Sequence, residues 1–343
     1  MWLFIIILVL LVLVAIFLFA PNPLINKIHG GPIKVNKKKV KKVLLGMNGT
    51  DGLIYRVFIY IFLIIVSFIF LYPMIYMLLT SLKPQMDLAD SASGLLPSSL
   101  YFNNYVEAFR ELKYFTALYK SIIVALLPTL FNVVIGCLTA YGFARFNFPL
   151  KKLWFAIMII TYIVPTALIS IPRYAWYAKL KLLGSILTYI LPSSLGQGLC
   201  FALYFFILYS TFRRLPVQLE ESAKIDGANN LQIFVRIALP LVIPSVITVL
   251  LFSFVWYWND SETASMYLNI VKAGQDAPRW VTLPIALQNY QNALLDKGER
   301  EIVLFQGVKM AAVFLSILPL LINYFVLQRF FVEGIEKSGI AGE

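Results

Sequence analysis

Residues 215–244 read LPVQLEESAKIDGANNLQIFVRIALPLVIP, the longest polar and charged interruption in the second half of a very apolar chain. The stretch is patterned as folded structure. Pro216 suits the first turn of a helix, where its missing N–H has no partner to lose. Leu215, Leu219 and Ala223 recur at four-residue steps, with Glu220, Glu221 and Lys224 on the other sides, which predicts a helix with one apolar stripe. Gly227 ends or kinks that helix. Asn229 or Asn230 is placed to cap a second short helix carrying Leu231, Phe234 and Ile237. Pro240 closes the unit just before the next apolar run. Ala223 and Gly227, flanked by Ser222 and Ala228, form a face small enough for another backbone to approach closely. The carboxylates of Glu221 and Asp226 stand beside it. Such a face is a docking surface.

The spacing in this loop resembles the signature of the inner-membrane permease subunits of binding-protein-dependent ATP-binding-cassette importers. That signature runs Glu-Ala-Ala, three residues, Gly, nine residues, Ile-x-Leu-Pro. Here it stands as Glu221-Ser222-Ala223, three residues, Gly227, nine residues, Ile237-Ala238-Leu239-Pro240, with Ser in place of the middle Ala. The resemblance implies a cytoplasmic coupling loop, 212–240, seated in a cleft of an ATPase subunit. It assigns the coupling contact to Glu220, Glu221, Ser222, Ala223, Asp226, Gly227, Ala228, Leu239 and Pro240. Glu221 would supply the charged contact and the small residues the close fit.

Composition points the same way. The chain of 343 residues is 60% hydrophobic and 13% charged, with a mean hydropathy of +0.80. A soluble domain carries roughly 45–50% apolar residues and about a quarter charged, so the chain is predicted to be a polytopic membrane protein. Its length admits about seven spans of ~20 residues. The net charge of +12 does not indicate nucleic acid, because the basic residues cluster in short loops beside apolar runs, as the positive-inside rule describes. Cys137 and Cys200 fall within predicted spans, and His29 has no Cys or carboxylate cluster near it in sequence. Neither metal ligation nor histidine catalysis is indicated.

The apolar run at 3–20 has no basic residue before it, and seven lysines follow between Lys27 and Lys42. This predicts a retained N-terminal transmembrane anchor over 1–20 with its start outside, then a Lys-rich cytoplasmic linker over 21–56. Six core spans are expected within 57–343: about 57–79, 121–143, 153–171, 185–209, 241–258 and 308–327. With this topology seventeen basic residues lie inside and ten outside. The docking loop then faces the side where ATP is available. The segment 84–117 is expected outside, with a short helix near Asn104 to Arg110.

Other stretches resemble the carbohydrate-importing, maltose-permease branch of the same family. Tyr141-Gly-Phe-Ala-Arg145-Phe-Asn-Phe-Pro149 is similar to Ala-Tyr-Ala-x-x-Arg-Phe-x-Phe-x-Gly, with Leu150 where Gly is usual. Phe254-Val-Trp-Tyr-Trp258-Asn259-Asp260 matches Phe-x-x-x-Trp-Asn-Asp/Glu, and Thr282-Leu283-Pro284 and the tail from Gln328 to Gly334 follow the branch's closing segments. The likeness covers about 57–340. It implies an all-α, type I importer permease fold in a bacterial cytoplasmic (inner) membrane. The implied partners are a second permease subunit, two ATPase subunits and an extracytoplasmic substrate-binding protein that delivers a sugar. ATP and Mg belong to the ATPase subunits, since this chain has no Gly-x-x-x-x-Gly-Lys-Ser/Thr loop.

Sugar sites pair flat aromatic faces with amides and hydroxyls. That chemistry marks Thr129, Asn132, Trp256, Trp258 and Asn259 as candidates along a substrate pathway. Trp at span ends also serves as an interfacial anchor, and polar residues within spans also pack helices together. An ion-coupled secondary transporter is the alternative reading. It would be expected to carry ionisable residues within its spans, and no Asp or Glu falls deep in any predicted one.

Overall fold

The computed structural model describes residues 53–90, 93–272, 274–298 and 303–339. The N-terminal helix expected over 1–20, nearly all of the 21–56 linker and the last four residues of the tail lie outside them. The described residues are helical or irregular, with no β-strand among them. In chain order the helices are α1 (Leu53–Ser81), α2 (Gln85–Ala89), α3 (Asn103–Glu111), α4 (Tyr114–Arg145), α5 (Lys151–Ile163), α6 (Thr166–Lys179), α7 (Leu187–Ser194) and α8 (Phe201–Arg214). There follow α9 (Val217–Ile225), α10 (Asn230–Ile233), a π-helical turn (Phe234–Ala238), α11 (Leu239–Leu241), α12 (Ile243–Asn259), α13 (Glu262–Leu268), α14 (Leu283–Lys297) and α15 (Gln306–Gly339).

Two compact units divide the chain, Met1–Pro73 and Met74–Glu343. The described part of the first is the leading stretch of α1, whose apolar side chains from Val57 onward are mostly exposed. The second unit holds every other helix of the described residues.

Among the described residues, three helical stretches are long and apolar enough to cross a membrane: Arg56–Ser81, Tyr114–Arg145 and Gln306–Val326. They coincide with the first, second and last of the six predicted core spans. Of the other three, the one expected over 241–258 is the single helix α12 (Ile243–Asn259), and the remaining two are bent or interrupted. The span expected over 153–171 turns by 97° between α5 and α6. Val164 is extended (φ −66°, ψ 121°) because the ring of Pro165 disfavours a helical residue before it, and Pro165 has no N–H to continue the ladder. The segment 230–241 meets α12 at 79°. The expected 185–209 span is interrupted between Ser194 and Phe201. Gly196 (φ +70°) and Cys200 (φ +54°) adopt left-handed backbone there.

α4 organises the second unit. Ala117, Ser121, Ala125 and Thr129, then Asn132, Gly136 and Ala140, place small or polar residues about one turn apart on its buried side. Small residues of this kind let neighbouring helices approach closely. A Cβ on Gly136 would lie 3.2 Å from Leu208 Cδ1 of α8. Two apolar cores result. One gathers Ala117, Val124 and Ala125 of α4 with Trp258, Leu268, Ile285 and Ala311. The other gathers Val133, Cys137 and Tyr141 with Phe205, Phe212, Phe234 and Val249. Thr129 and Asn132 fall between them on α4, fully buried.

Candidate functional site

The 215–240 loop is built as the sequence predicts in outline, and differently in its buried side. α9 begins after Pro216 and ends at Ile225. Gly227, at φ +84°, ends it: its N–H donates to the Lys224 carbonyl (3.0 Å) and that of Ala228 to the Ala223 carbonyl (2.9 Å). These two bonds form a Schellman motif, which places a residue in left-handed backbone where glycine carries no steric penalty. Asn229 caps α10. Its side chain accepts from Gln232 N–H (2.9 Å), and its own N–H donates to Gln232 Oε1 (2.8 Å), a reciprocal capping box.

The residues that α9 buries are Glu220 and Ala223, while Leu219 stands 45% exposed. The expected Leu215–Leu219–Ala223 stripe is therefore not the inner face. Glu220 turns inward because Arg145, the last residue of α4, waits there: Nε donates to Glu220 Oε1 at 2.6 Å. Tyr141 donates to Glu220 Oε2 at 3.3 Å, and Arg145 Nη2 donates to the Leu215 carbonyl at 2.8 Å. Of the residues assigned to coupling, Glu221, Ser222, Asp226, Gly227 and Pro240 are exposed, and Ala228 and Leu239 are half-buried. Ser222 donates to the Gln218 carbonyl. Ile225 is 87% exposed, an apolar tip between Ser222 and Asp226 that the sequence reading passed over because it lies off the stripe. Apolar residues left bare beside charged ones were the available signal.

A second arrangement surrounds Asn132. Its amide nitrogen donates to the Leu199 carbonyl (3.2 Å), to Ser253 Oγ (3.2 Å) and toward Tyr257 Oη (3.5 Å). Tyr257 Oη accepts from Leu199 N–H (3.0 Å) and shares a hydrogen bond with Ser193 Oγ (2.6 Å). Backbone that leaves helical form at membrane depth must find partners within the protein. These side chains meet that need for the break between α7 and α8. Asn132 therefore serves a helix junction, and Thr129, also fully buried, lies one turn before it.

The other pathway candidates separate. Trp258 and Asn259 line a cleft of about 340 Å³ between α12, α14 and α15, together with Ser261, Gln288, Gln291 and Ser316. Trp258 is buried, and its Nε1 donates to the Ser316 carbonyl at 3.3 Å. Trp256 points away, 52% exposed, and is absent from that lining. Gln288 and Gln291 of α14, a helix that lies between the spans expected over 241–258 and 308–327, add two side-chain amides to the cleft. Their spacing of three on one helix face was the available signal.

Residues 132–337 match the family model described as binding-protein-dependent transport system inner membrane component. The chain is 30% identical over 288 residues to the osmoprotective compounds uptake permease protein of Synechocystis sp., covering 82% of this chain and 91% of that one. It is 28% identical over 295 residues to the polygalacturonan/rhamnogalacturonan transport system permease protein of Bacillus subtilis, covering 84% and 99%. Among solved structures, it resembles a chain of a bacterial ABC transporter that imports the acidic polysaccharide alginate. The TM-score is 0.65 at 22% identity, over 81% of this chain and 96% of that one.

Proposed function

The chain belongs to the binding-protein-dependent transport system inner membrane components, and on that premise we propose that it is the permease subunit of an ATP-driven importer of a sugar or oligosaccharide. It works beside a second permease subunit and two ATPase subunits, which bind ATP and Mg, and receives its cargo from an extracytoplasmic binding protein. Its own part is non-catalytic.

The observation that carries this reading is the 215–240 loop: a short helix anchored from inside by Glu220, closed by a Schellman turn and bare on the side of Glu221, Ser222, Ile225 and Asp226. A helix held this firmly while leaving an apolar tip 87% exposed is suited to insert into a partner's cleft. On this reading the loop faces the cytoplasm. A relative named for polygalacturonan/rhamnogalacturonan transport supports a polar cargo rich in hydroxyls. The cleft lined by Trp258, Asn259, Gln288 and Gln291 has the aromatic-and-amide character that such a cargo requires.

The test is purification in mild detergent with the second permease and the ATPase subunits co-expressed. Wild type is expected to retain both, and Ile225→Arg to lose the ATPase alone, since Ile225 has little packing within the chain to disturb. A wild-type chain that retains no ATPase under conditions that keep the permease pair together would return the reading to an ion-coupled transporter.

A further inference from the structure

Arg145 and Glu220 form the one ion pair found among the described residues, with side chains only 9% and 7% exposed. A buried pair is seldom more stabilising than apolar side chains of the same volume, yet removing one partner alone leaves a buried charge unpaired. What the pair supplies here is a fixed distance and direction between two elements. Glu220 accepts from both Arg145 and Tyr141, one turn apart on α4, while Arg145 also holds the Leu215 carbonyl at the entrance to the loop. Tyr141 packs against Phe212 and Phe234 on either side of α9, with ring centroids 5.4 and 5.0 Å away. The loop is thus gripped at its start, its first helix and its π-helical turn by the last two turns of α4.

Asn132 lies thirteen residues back along the same unbroken helix, about 20 Å at 1.5 Å per residue. There it holds the carbonyl of Leu199, in the break between α7 and α8, and Ser253 of α12. One rigid element therefore carries the loop's anchor at one end and the polar junction at the other.

We propose that Arg145 is a positioning residue for transport: through Glu220 it makes the 215–240 loop and α4 move as one body, so that displacement of the loop by the ATPase shifts Asn132 and rearranges residues 195–200. The inference rests on the importer reading above.

Cys200 is a native reporter at the rearranging segment, half-buried, and Cys137 is buried. The experiment uses the full complex carrying Cys137→Ser and follows alkylation of Cys200 by N-ethylmaleimide with and without MgATP. With Arg145 and Glu220 intact, MgATP is expected to change the labelling rate about five-fold or more. Arg145→Gln, which removes the cation outside the loop and leaves every coupling residue in place, is expected to retain the ATPase subunits and basal hydrolysis but to bring the MgATP effect below about two-fold. The exchange Arg145→Glu with Glu220→Arg is expected to restore it. An undiminished MgATP effect in Arg145→Gln overturns the inference, and so does loss of the ATPase subunits from that variant, which would reduce the pair to a support of the loop's fold. Absence of ATPase from the wild-type complex overturns the importer reading itself, and with it the inference.

Discussion

Gly198 approaches Asn132 so closely that a Cβ on its backbone would sit 2.2 Å from Asn132 Oδ1. The same atom would lie 2.6 Å from Tyr257 Oη and 2.8 Å from Ser193 Oγ. These are the side chains that satisfy the backbone between α7 and α8, and none can withdraw without breaking a hydrogen bond. Gly198→Ala is therefore expected to destabilise the protein by about 1–3 kcal/mol, the usual range for overpacking, read as a lower thermal midpoint in detergent. Gly142→Ala is the matched control. Nothing lies within 4 Å of a Cβ there, and alanine in a helix interior is favoured over glycine by roughly 0.5–1 kcal/mol. A Gly198→Ala midpoint at or above wild type would mean that the junction is looser than these distances require.

Gly227 poses the opposite case, because space is open around it and only its φ of +84° is demanding. An L-residue in left-handed backbone costs roughly 1–2 kcal/mol, with Asn tolerated better than most. Gly227→Ala is expected to lower hydrogen-exchange protection at residues 227 and 228 by about 5- to 30-fold, and Gly227→Asn by clearly less. Equal protection in Gly227→Ala and wild type would show that the Schellman turn does not hold the end of α9. Because any side chain here carries this backbone strain, substitutions at Ile225 test partner docking more cleanly.

Much of this architecture is legible in the sequence, and the exceptions have physical causes. Apolar length alone locates α1, α4 and the membrane-spanning part of α15, since a bilayer imposes it. The short helix near Asn104 to Arg110 appears as α3. The 153–171 and 185–209 stretches carry the same apolar signal as straight spans, and whether Pro165 or Gly196 breaks or merely bends a helix is decided by the neighbours that accept the freed backbone groups. In the loop, spacing marks Gly227 and narrows the cap to Asn229 or Asn230, of which the structure uses Asn229, because both features follow from local backbone chemistry. The inward turn of Glu220 depends on Arg145, 75 residues earlier, and no periodicity within α9 records it. The same holds for Asn132: its type suggested a ligand contact, while its partners Leu199, Ser253 and Tyr257 come from distant parts of the chain.

The segment between α1 and α3 is pinned by Asp87, whose carboxylate accepts from the N–H (2.7 Å) and hydroxyl (2.8 Å) of Ser98. The backbone bond from Ser98, then its hydroxyl bond, hold the Asp87 carboxyl below its ordinary value of 3.8. A carboxyl depressed in the folded state favours folding above its unfolded pKa, and that contribution is lost as pH falls through the folded value. Protection of the Ser98 amide is therefore expected to be steady near pH 7 and to decline below about pH 4. Asp87→Asn should lower the neutral-pH protection and flatten this dependence. A decline that persists unchanged in Asp87→Asn would assign it to another carboxylate.

Asn259 and Trp256 offer the sharpest test of the substrate pathway, because they stand three residues apart on α12 and the structure separates them. Asn259 opens into the cleft with Gln288 and Gln291, whereas Trp256 projects outward from the unit. A sugar crossing the cleft would lose one hydrogen-bonding partner in Asn259→Ala, worth about 1 kcal/mol, or roughly a five-fold rise in the concentration needed for half-maximal uptake. Trp256→Ala should leave that concentration within about two-fold, with any effect appearing instead in the amount of protein inserted in the membrane. Gln291→Ala, on the facing helix, is expected to follow Asn259→Ala. If Trp256→Ala raises the half-saturating concentration while Asn259→Ala and Gln291→Ala do not, the cargo passes along the outward face of α12, against whatever covers it in the assembled importer, and the cleft is not its route.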